Sequence, residues 1–369
     1  MEAIPPKLYG GTERVISWLT EELVALGHGV TLFASGDSQT AATLEPVWPK
    51  ALRLDGAVRD ANALHMTMLE RVRRRAQEFD VLHFHLDYYP FSLFARQPTP
   101  FLTTLHGRLD LPEHQLVFRT FSSSPLISIS DSQRRPVPHA GWVRTVHHGL
   151  PERLLMPQPT RPSYLAFLGR ISPEKGIDQA IRIAQRCGVP LKIAAKVDRV
   201  DKEYFEAEIR RLIVAPDVEY VGEINDSEKS AFLSGAVALL VPIAWPEPFG
   251  LVMIEAMACG APVIAYDRGS VREIVEHGVT GLRFEPGDVT GLARAVGSVL
   301  SDEVLAHRLV RDARAVLDAN YRWTTIAERT VAVYRRAVVE DTAVRAGMRV
   351  LDEPAMPERL VVGDDNVFA

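Results

Sequence analysis

Two carboxylates that could bind hydroxyl groups, Glu247 and Glu255, lie eight positions apart with the turn Phe249-Gly250-Leu251 between them. We expect this turn to open a helix, whose first backbone N–H groups have no partner inside the helix and attract phosphate oxygens. Ionised carboxylates accept hydrogen bonds from sugar and ribose hydroxyls. The segment therefore predicts a site for a sugar nucleotide, the alternative being an ordinary helix with two solvated acids.

Two cations, Arg170 and Lys175, lie five positions apart across a second predicted strand-to-helix turn. Two cations that converge on one point need an anion between them, and a nucleotide diphosphate is such an anion. They would then neutralise a leaving diphosphate as a metal ion does in other enzymes, although simple solvation at the surface is the alternative. No Asp-x-Asp element stands at a strand end, so we expect no metal ion and no other cofactor.

Gly10, Gly11 and Thr12 precede or open the first predicted helix. Glycine has no Cβ, so this backbone could approach a phosphate closely at a positively polarised helix start. Thr12 could instead simply cap the helix. His106 follows the apolar strand FLTTL and should emerge at the carboxyl end of that strand, although a lone histidine is more often structural.

The run PEPFGLVMIEAMACGAPVIAYDRGSVREIVEHGVTGLRFEP resembles the nucleotide-sugar signature of family 4 of the retaining glycosyltransferases, which includes bacterial mannosyl- and glucosyltransferases and sucrose synthases. The pattern Gly169-Arg170 followed by Lys175-Gly176, and the loop Gly10-Gly11, are also similar to that family. The matching positions of the long run are Glu247, Phe249, Gly250, Glu255, Ala256, Gly260, Pro262, Val263, the turn Gly269-Ser270, Glu273 and Gly281.

This resemblance implies a GT-B fold, with two facing doubly wound parallel-sheet domains of Rossmann-like type and a ligand cleft between them. It implies a metal-independent, retaining transfer of a hexose from a nucleoside diphosphate sugar to a hydroxyl acceptor. In the family's pattern Glu247 would position the transferred sugar, Glu255 the ribose, and His106 would hydrogen-bond the donor sugar. Gly222 would lie near the nucleobase. The acceptor, the donor base, the hexose and the oligomeric state stay open.

Short apolar runs alternate with helical patterns through the whole chain, which predicts an α/β fold. The predicted strands are 30–35, 81–85, 101–106, 126–129, 143–147, 164–168, 191–195, 218–221, 237–242, 262–265 and 282–284. Four prolines between residues 151 and 162 interrupt regular structure, so we place a boundary there. The predicted units are an acceptor-side domain, 1–155, a nucleotide-sugar domain, 156–327, and a loose tail, 352–369.

Two expectations about the N-terminal domain come from the resemblance. The last helix, about 328–347, would cross back onto this domain. We expect the strand that usually precedes the glycine loop to be missing, because only nine residues precede Gly10 and two of them are prolines. Either the chain starts late relative to its natural gene, or the sheet tolerates the gap with a weakened core.

Composition narrows the class of protein. A hydrophobic content of 47% and a charged content of 24% are those of a soluble globular protein, and we expect a cytoplasmic location because no signal peptide or spanning segment is visible. A net charge of −5 argues against general binding of nucleic acid. The arginine cluster at 71–75 is explained by a solvated helix face, with docking on an anionic membrane surface or acceptor as the alternative.

Rival functions on the same architecture are a nucleotide-sugar epimerase, a phosphorylase, or a nucleotide-sugar-binding protein without catalysis. The missing strand is the reason for considering a binding protein without catalysis. An NAD enzyme is disfavoured, because no strand leads into a Gly-x-Gly-x-x-Gly turn.

Overall fold

The computed structural model describes residues 1–7 and 10–351, with side chains up to residue 339, so the predicted loose tail at 352–369 lies outside the described residues. Strands and helices alternate along this part of the chain. The strands are β1 (Thr31–Ser35), β2 (Thr43–Trp48), β3 (Leu82–Phe84), β4 (Phe101–Thr104), β5 (Leu126–Ser128), β6 (Trp142–Thr145), β7 (Tyr164–Arg170), β8 (Leu191–Lys196), β9 (Val218–Gly222), β10 (Ala236–Val241), β11 (Val263–Tyr266) and β12 (Gly281–Phe284). The helices are α1 (Gly11–Ala25), α2 (Ala61–Arg75), α3 (Phe91–Phe94), α4 (Pro112–Thr120), α5 (Asp131–Arg134), α6 (Ile177–Cys187), α7 (Lys202–Tyr204), α8 (Asp226–Ser234), α9 (Leu251–Cys259), α10 (Val271–Ile274), α11 (Val289–Ser301), α12 (Glu303–Asn320) and α13 (Trp323–Leu351).

The C-terminal half is built on a parallel sheet with the strand order β12-β11-β10-β7-β8-β9. The chain enters at the central strand β7, builds one side with β8 and β9, and then builds the other side outward from β10. Open parallel sheets bind ligands beyond the carboxyl ends of the strands where this direction changes, which here are β7 and β10. Arg170 ends β7 and Glu247 follows β10, so the fold brings both segments to that point.

Helices cover both faces of this sheet with apolar side chains. Leu233 of α8 and Met257 of α9 lie in the cluster on one face, and Ile181 of α6 and Val296 of α11 lie in the cluster on the other. Full burial of such a side chain stabilises a fold by about 1.5–3 kcal/mol. The α9 helix is buried over most of its surface, which explains the nearly unbroken apolar run LVMIEAMAC.

The N-terminal half has its strands in two separate sheets. β3, β4, β5 and β6 pair in parallel in that order, while β1 pairs in parallel with β2 alone. Within the described residues no strand precedes α1, and a cavity of about 470 Å³ lies between β1 and β3. Leu32 of β1, Leu23 of α1, Val72 of α2, Leu82 of β3 and Tyr334 are among the residues that line it.

The last helix, α13, begins at Trp323 and packs on the N-terminal half. Its side chains Ile326 and Val331 join Leu19 of α1 and Leu102 of β4 in one buried cluster. The last helix of the chain therefore packs against its first helix. None of the described helices combines the length and the apolar character needed to cross a membrane.

The arginine cluster at 71–75 lies at the end of α2 and forms local ion pairs. Arg73 pairs with Glu70, and Arg75 pairs with Glu45 and Glu78. Cations in the last turn of a helix also interact favourably with the helix dipole. The geometry is that of a solvated helix face.

Candidate functional site

A pocket of about 200 Å³ lies where the two halves of the chain meet, at the carboxyl ends of β7 and β10. Side chains and backbone from both halves line it. Of the residues predicted from sequence, the pocket brings together Gly11, Thr12, His106, Lys175, Glu247, Phe249, Gly250 and Leu251.

Glu247 and Lys175 form an ion pair in this pocket. The Lys175 ammonium donates a hydrogen bond to Oε2 of Glu247, and the indole N–H of Trp245 donates to the same oxygen at 2.9 Å. The exposed fractions of the two charged side chains are 23% for Lys175 and 13% for Glu247. Each charge therefore offsets part of the cost of removing the other from water.

The turn Gly269-Ser270 fixes the backbone of the Glu247 loop. The Ser270 N–H donates to the Glu247 carbonyl at 2.9 Å, and the Ser270 hydroxyl donates to the Phe249 carbonyl at 2.6 Å. Gly269 has a φ of +60°, and a Cβ there would lie 2.3 Å from the Glu247 nitrogen. Only glycine fits, which gives a physical reason for the Gly-Ser turn in the sequence.

The turn that carries Lys175 is fixed in the same way. Gly176 has a φ of +70°, and a Cβ at this position would lie 2.0 Å from the carbonyl oxygen of Pro242, just after β10. This close approach of backbone to backbone places Lys175 beside the loop that carries Glu247. The Glu174 carbonyl also accepts a hydrogen bond from the Ala244 N–H at 2.8 Å.

Two helix N-termini, one from each half, face the pocket. Gly250 caps α9 in the left-handed region, with a φ of +81°, and no side chain caps this helix. Gly10 caps α1, again without a side-chain cap, so Thr12 lies inside the first turn and the capping alternative for it is wrong. Neither capping glycine supplies a side chain to these helix starts, and two positive helix ends in one pocket favour a bound anion.

Arg170 is not brought to this pocket. Its guanidinium lies within ion-pair distance of three carboxylates, those of Glu174 at 2.8 Å, Asp201 at 3.4 Å and Asp198 at 3.7 Å. The two cations therefore do not converge on one point in this structure, because nearby acids already neutralise Arg170.

Glu255 lies in the interior and does not line the pocket. Its carboxylate is 3% exposed and accepts a hydrogen bond from the Lys229 ammonium at 2.5 Å. Lys229 is also 3.5 Å from Asp226, which binds Arg14 of α1 at 2.5 Å. Successive ion pairs therefore connect Arg14 of the first helix to Glu255 through Asp226 and Lys229. Sequence reasoning missed Lys229, because only the fold brings its helix beside α9.

Gly222 lies at the carboxyl end of β9, two strands away from β7, and does not line the pocket. Its φ is +80°, and a Cβ there would point into open space. Gly222 is half-buried on the edge strand of the sheet.

His106 lies in a column of histidines in which it and His85 are half-buried and His148 is buried. Its Nε2 shares a hydrogen bond with Nδ1 of His85 at 2.8 Å, and its Nδ1 shares one with Nε2 of His148 at 3.4 Å. Burial lowers the pKa of His106 to about 4, so the ring is neutral at neutral pH and both of its nitrogens have partners. His148 also lines the pocket and was missed, although it follows a predicted strand just as His106 does.

Glu273, in the matched signature, links the two halves beside the pocket. Its carboxylate accepts hydrogen bonds from the backbone N–H groups of Asp131 and Ser132, both at 2.8 Å, and lies 3.3 Å from Nε2 of His147. Burial alone would raise the pKa of Glu273, but the hydrogen bonds from His147 and from the two backbone groups outweigh it and lower that pKa.

Comparisons with known proteins agree with this arrangement. The family profile described as Glycosyl transferases group 1 matches residues 156–316, and that described as Glycosyltransferase Family 4 matches residues 9–149. Among curated proteins, a glycogen synthase of Mycobacterium tuberculosis is 28% identical, over 96% of this chain and 98% of its own. A phosphatidyl-myo-inositol mannosyltransferase of Mycobacterium leprae is 29% identical, over 74% of this chain and 79% of its own.

Two solved structures have a similar fold. Sucrose-phosphate synthase from Thermosynechococcus elongatus superimposes with a TM-score of 0.72 at 23% identity, covering 90% of this chain and 94% of its own. Anabaena Alr3699/HepE, crystallised with UDP and glucose, superimposes with a TM-score of 0.72 at 20% identity, covering 89% of this chain and 98% of its own. Likeness at this level of identity establishes a shared fold.

Proposed function

The chain belongs to family 4 of the glycosyltransferases and has the GT-B fold, and from this premise we propose that it is a retaining hexosyltransferase. It moves a hexose from a nucleoside diphosphate sugar to a hydroxyl-bearing acceptor. The observation that carries the proposal is the Lys175–Glu247 pair, held in one pocket between the N-termini of α1 and α9. This arrangement offers positive groups to a diphosphate and a carboxylate to a sugar hydroxyl.

The donor diphosphate binds across the cleft in this proposal. The N–H groups of Gly250 and Leu251 at the start of α9, and the N–H of Gly11 at the start of α1, are oriented dipoles that contact phosphate oxygens. The Lys175 ammonium, which is paired with Glu247, is a further positive group beside them. A solved structure of similar fold holds UDP and glucose, which supports a nucleotide sugar as the donor.

Departure of the diphosphate is the step that these groups accelerate. The bond from the anomeric carbon to the diphosphate oxygen breaks, and negative charge develops on phosphate while the carbon gains positive character. Lys175 and the two helix starts stabilise that negative charge more strongly in the transition state than in the bound donor. Because these groups already neutralise it, we propose that the reaction needs no divalent metal ion.

Retention follows from attack on the face that the leaving group vacates. The acceptor oxygen forms its bond to the anomeric carbon on that face, and its proton passes to an oxygen of the departing diphosphate. Glu247 orients the transferred sugar during this exchange through its carboxylate. Glu255 and Arg170 can contact the donor only if they exchange their present ion pairs, with Lys229 and with Glu174, for contacts with the ligand.

A donor screen tests the proposal. The purified chain is incubated with UDP-glucose, GDP-mannose and ADP-glucose, with and without a panel of hydroxyl acceptors, and the products are followed by mass spectrometry. Release of a nucleoside diphosphate together with a glycosylated acceptor supports the transferase. An isomeric nucleotide sugar without acceptor would identify an epimerase, consumption of free phosphate a phosphorylase, and tight binding with no turnover a binding protein.

A further inference from the structure

Trp245 lies two residues before Glu247. Its indole N–H and the Lys175 ammonium donate hydrogen bonds to the same oxygen of the Glu247 carboxylate. Both hydrogen bonds to the Glu247 carboxylate, from the Trp245 indole at 2.9 Å and from the Lys175 ammonium, end on Oε2. Among the described residues none donates to Oε1. One oxygen of Glu247 is therefore anchored twice, and the other is left for a ligand in the pocket.

The two donors matter because the backbone of this loop is already fixed. The Glu247 N–H donates to the Trp245 carbonyl at 2.9 Å, and the Glu247 carbonyl accepts from Ser270 at 2.9 Å. With the backbone held, the direction of the carboxylate depends on its side-chain torsions alone. The indole N–H and the ammonium select one orientation among those that the loop permits.

Cations lie over the ring of Trp245. Cζ of Arg108 is 5.7 Å from the ring centroid and Nζ of Lys175 is 5.3 Å from it, which are cation–π distances. Arg108 follows His106 on a loop of the N-terminal half, and its Nε and Nη2 donate to the Asp110 carboxylate, at 2.7 and 2.9 Å. The indole thus joins an ordered loop of one half to the carboxylate of the other.

We propose that Trp245 is a positioning residue, which holds Oε1 of Glu247 toward the transferred sugar while Arg108 ties the indole to the N-terminal half. This inference rests on the proposed function, in which Glu247 contacts the sugar. Glu247 does not contact the diphosphate in that account. Loss of the indole N–H therefore weakens binding of the nucleotide sugar and leaves binding of the matching nucleoside diphosphate unchanged.

The test compares Trp245→Phe with wild type by isothermal titration calorimetry. The probes are UDP-glucose, GDP-mannose and ADP-glucose, each beside UDP, GDP or ADP. We expect affinity for the nucleotide sugar to fall about tenfold, as for one lost hydrogen bond to a charged group, with affinity for the diphosphate within twofold of wild type.

Trp142→Phe is a matched control. Trp142 also donates its indole N–H, to the Val137 carbonyl at 2.9 Å, and has Arg134 over its ring at 5.5 Å, but it does not line the cleft pocket. We expect its affinities for both kinds of ligand to match wild type. Thermal melting of both variants checks that each is folded.

A double-mutant cycle shows whether Trp245 acts through Glu247. Glu247→Ala removes the acceptor, so Trp245→Phe should have no further effect on nucleotide-sugar binding when added to it. The positioning role would be overturned if Trp245→Phe weakened binding of the nucleotide sugar and of the diphosphate equally, or if its full effect were repeated in the Glu247→Ala background. Wild-type affinity in Trp245→Phe would overturn it as well, whereas failure of the wild type to bind any of these nucleotide sugars would overturn the proposed function with it.

Discussion

Lys229 and Glu255 form an ion pair in the interior of the C-terminal half, with Nζ 2.5 Å from Oε1 and exposed fractions of only 8% and 3%. Removing one partner leaves a buried charge without compensation. We expect Lys229→Met to lower the free energy of unfolding by about 3–5 kcal/mol in urea denaturation.

Lys192→Met is the control for this substitution. Lys192 pairs with Glu219 at 2.9 Å, but their exposed fractions are 34% and 58%, so solvent screens the pair and its loss should cost about 1 kcal/mol or less. Equal effects of the two substitutions would mean that the Lys229–Glu255 pair is solvated in solution.

The fold class could be predicted because hydrophobic patterning repeats along the chain. Every predicted strand has a counterpart, and the GT-B fold is confirmed by the structural neighbours. β2 was missed because Glu45 and Pro46 interrupt its apolar pattern. The division of the N-terminal strands into two sheets depends on which strand edges pair, and local patterning carries no information about that.

The candidate site could be predicted only in part. Lys175, Glu247 and the start of α9 follow strand ends at the switch point of the sheet, so the topology brings them together. The surroundings of Arg170 and Glu255 could not be predicted, because their ion-pair partners come from other elements. Trp245 stands in the same segment as Glu247, but sequence does not reveal the direction of an indole N–H.

Lys175 and Arg170 should differ in their effect on diphosphate binding. Lys175 has one carboxylate partner in the pocket, whereas Arg170 lies near three carboxylates outside it. We expect Lys175→Gln to weaken binding of a nucleoside diphosphate tenfold or more, as for a lost charge-assisted hydrogen bond, and Arg170→Gln to weaken it less. Calorimetry with UDP, GDP and ADP makes the comparison. A larger loss in Arg170→Gln would show that donor binding pulls this guanidinium into the pocket.

Stability should fall in mild acid because of the half-buried His106. Burial lowers the pKa of His106 to about 4, against an ordinary value of 6.5. Between these values the unfolded chain binds a proton that the folded chain does not, so stability is lost as the pH falls from about 6.5 toward 4. We expect His106→Gln to flatten this dependence by up to about 1.4 kcal/mol per pH unit in urea unfolding.

His28→Gln is the control for the acid effect, since His28 is exposed after α1. Its unfolding free energy should follow the wild-type pH dependence. The same slope in His106→Gln as in wild type would mean that His106 takes up a proton in the folded protein near its ordinary pKa.

Gly269→Ala should damage both stability and activity. A Cβ at Gly269 would lie 2.3 Å from the Glu247 nitrogen in a backbone with positive φ, so the Glu247 loop has to move. Gly278→Ala is the matched control, because Gly278 also has a positive φ but a Cβ there would face open space. We expect Gly278→Ala to lower the free energy of unfolding by about 1–3 kcal/mol and to retain activity. Denaturant unfolding and initial rates of diphosphate release measure both effects, and full activity in Gly269→Ala would contradict the role of this turn.

The central claim is that the Lys175–Glu247 pocket transfers a hexose with retention and without a metal ion. Proton NMR of the anomeric signal of the first-formed product, from an α-linked nucleotide sugar in the presence of excess EDTA, tests it most directly. The account predicts an α-linked product from the wild type at an undiminished rate, and little or none from Glu247→Gln. A β-linked product, or a reaction that stops in EDTA and returns with added magnesium, would contradict it.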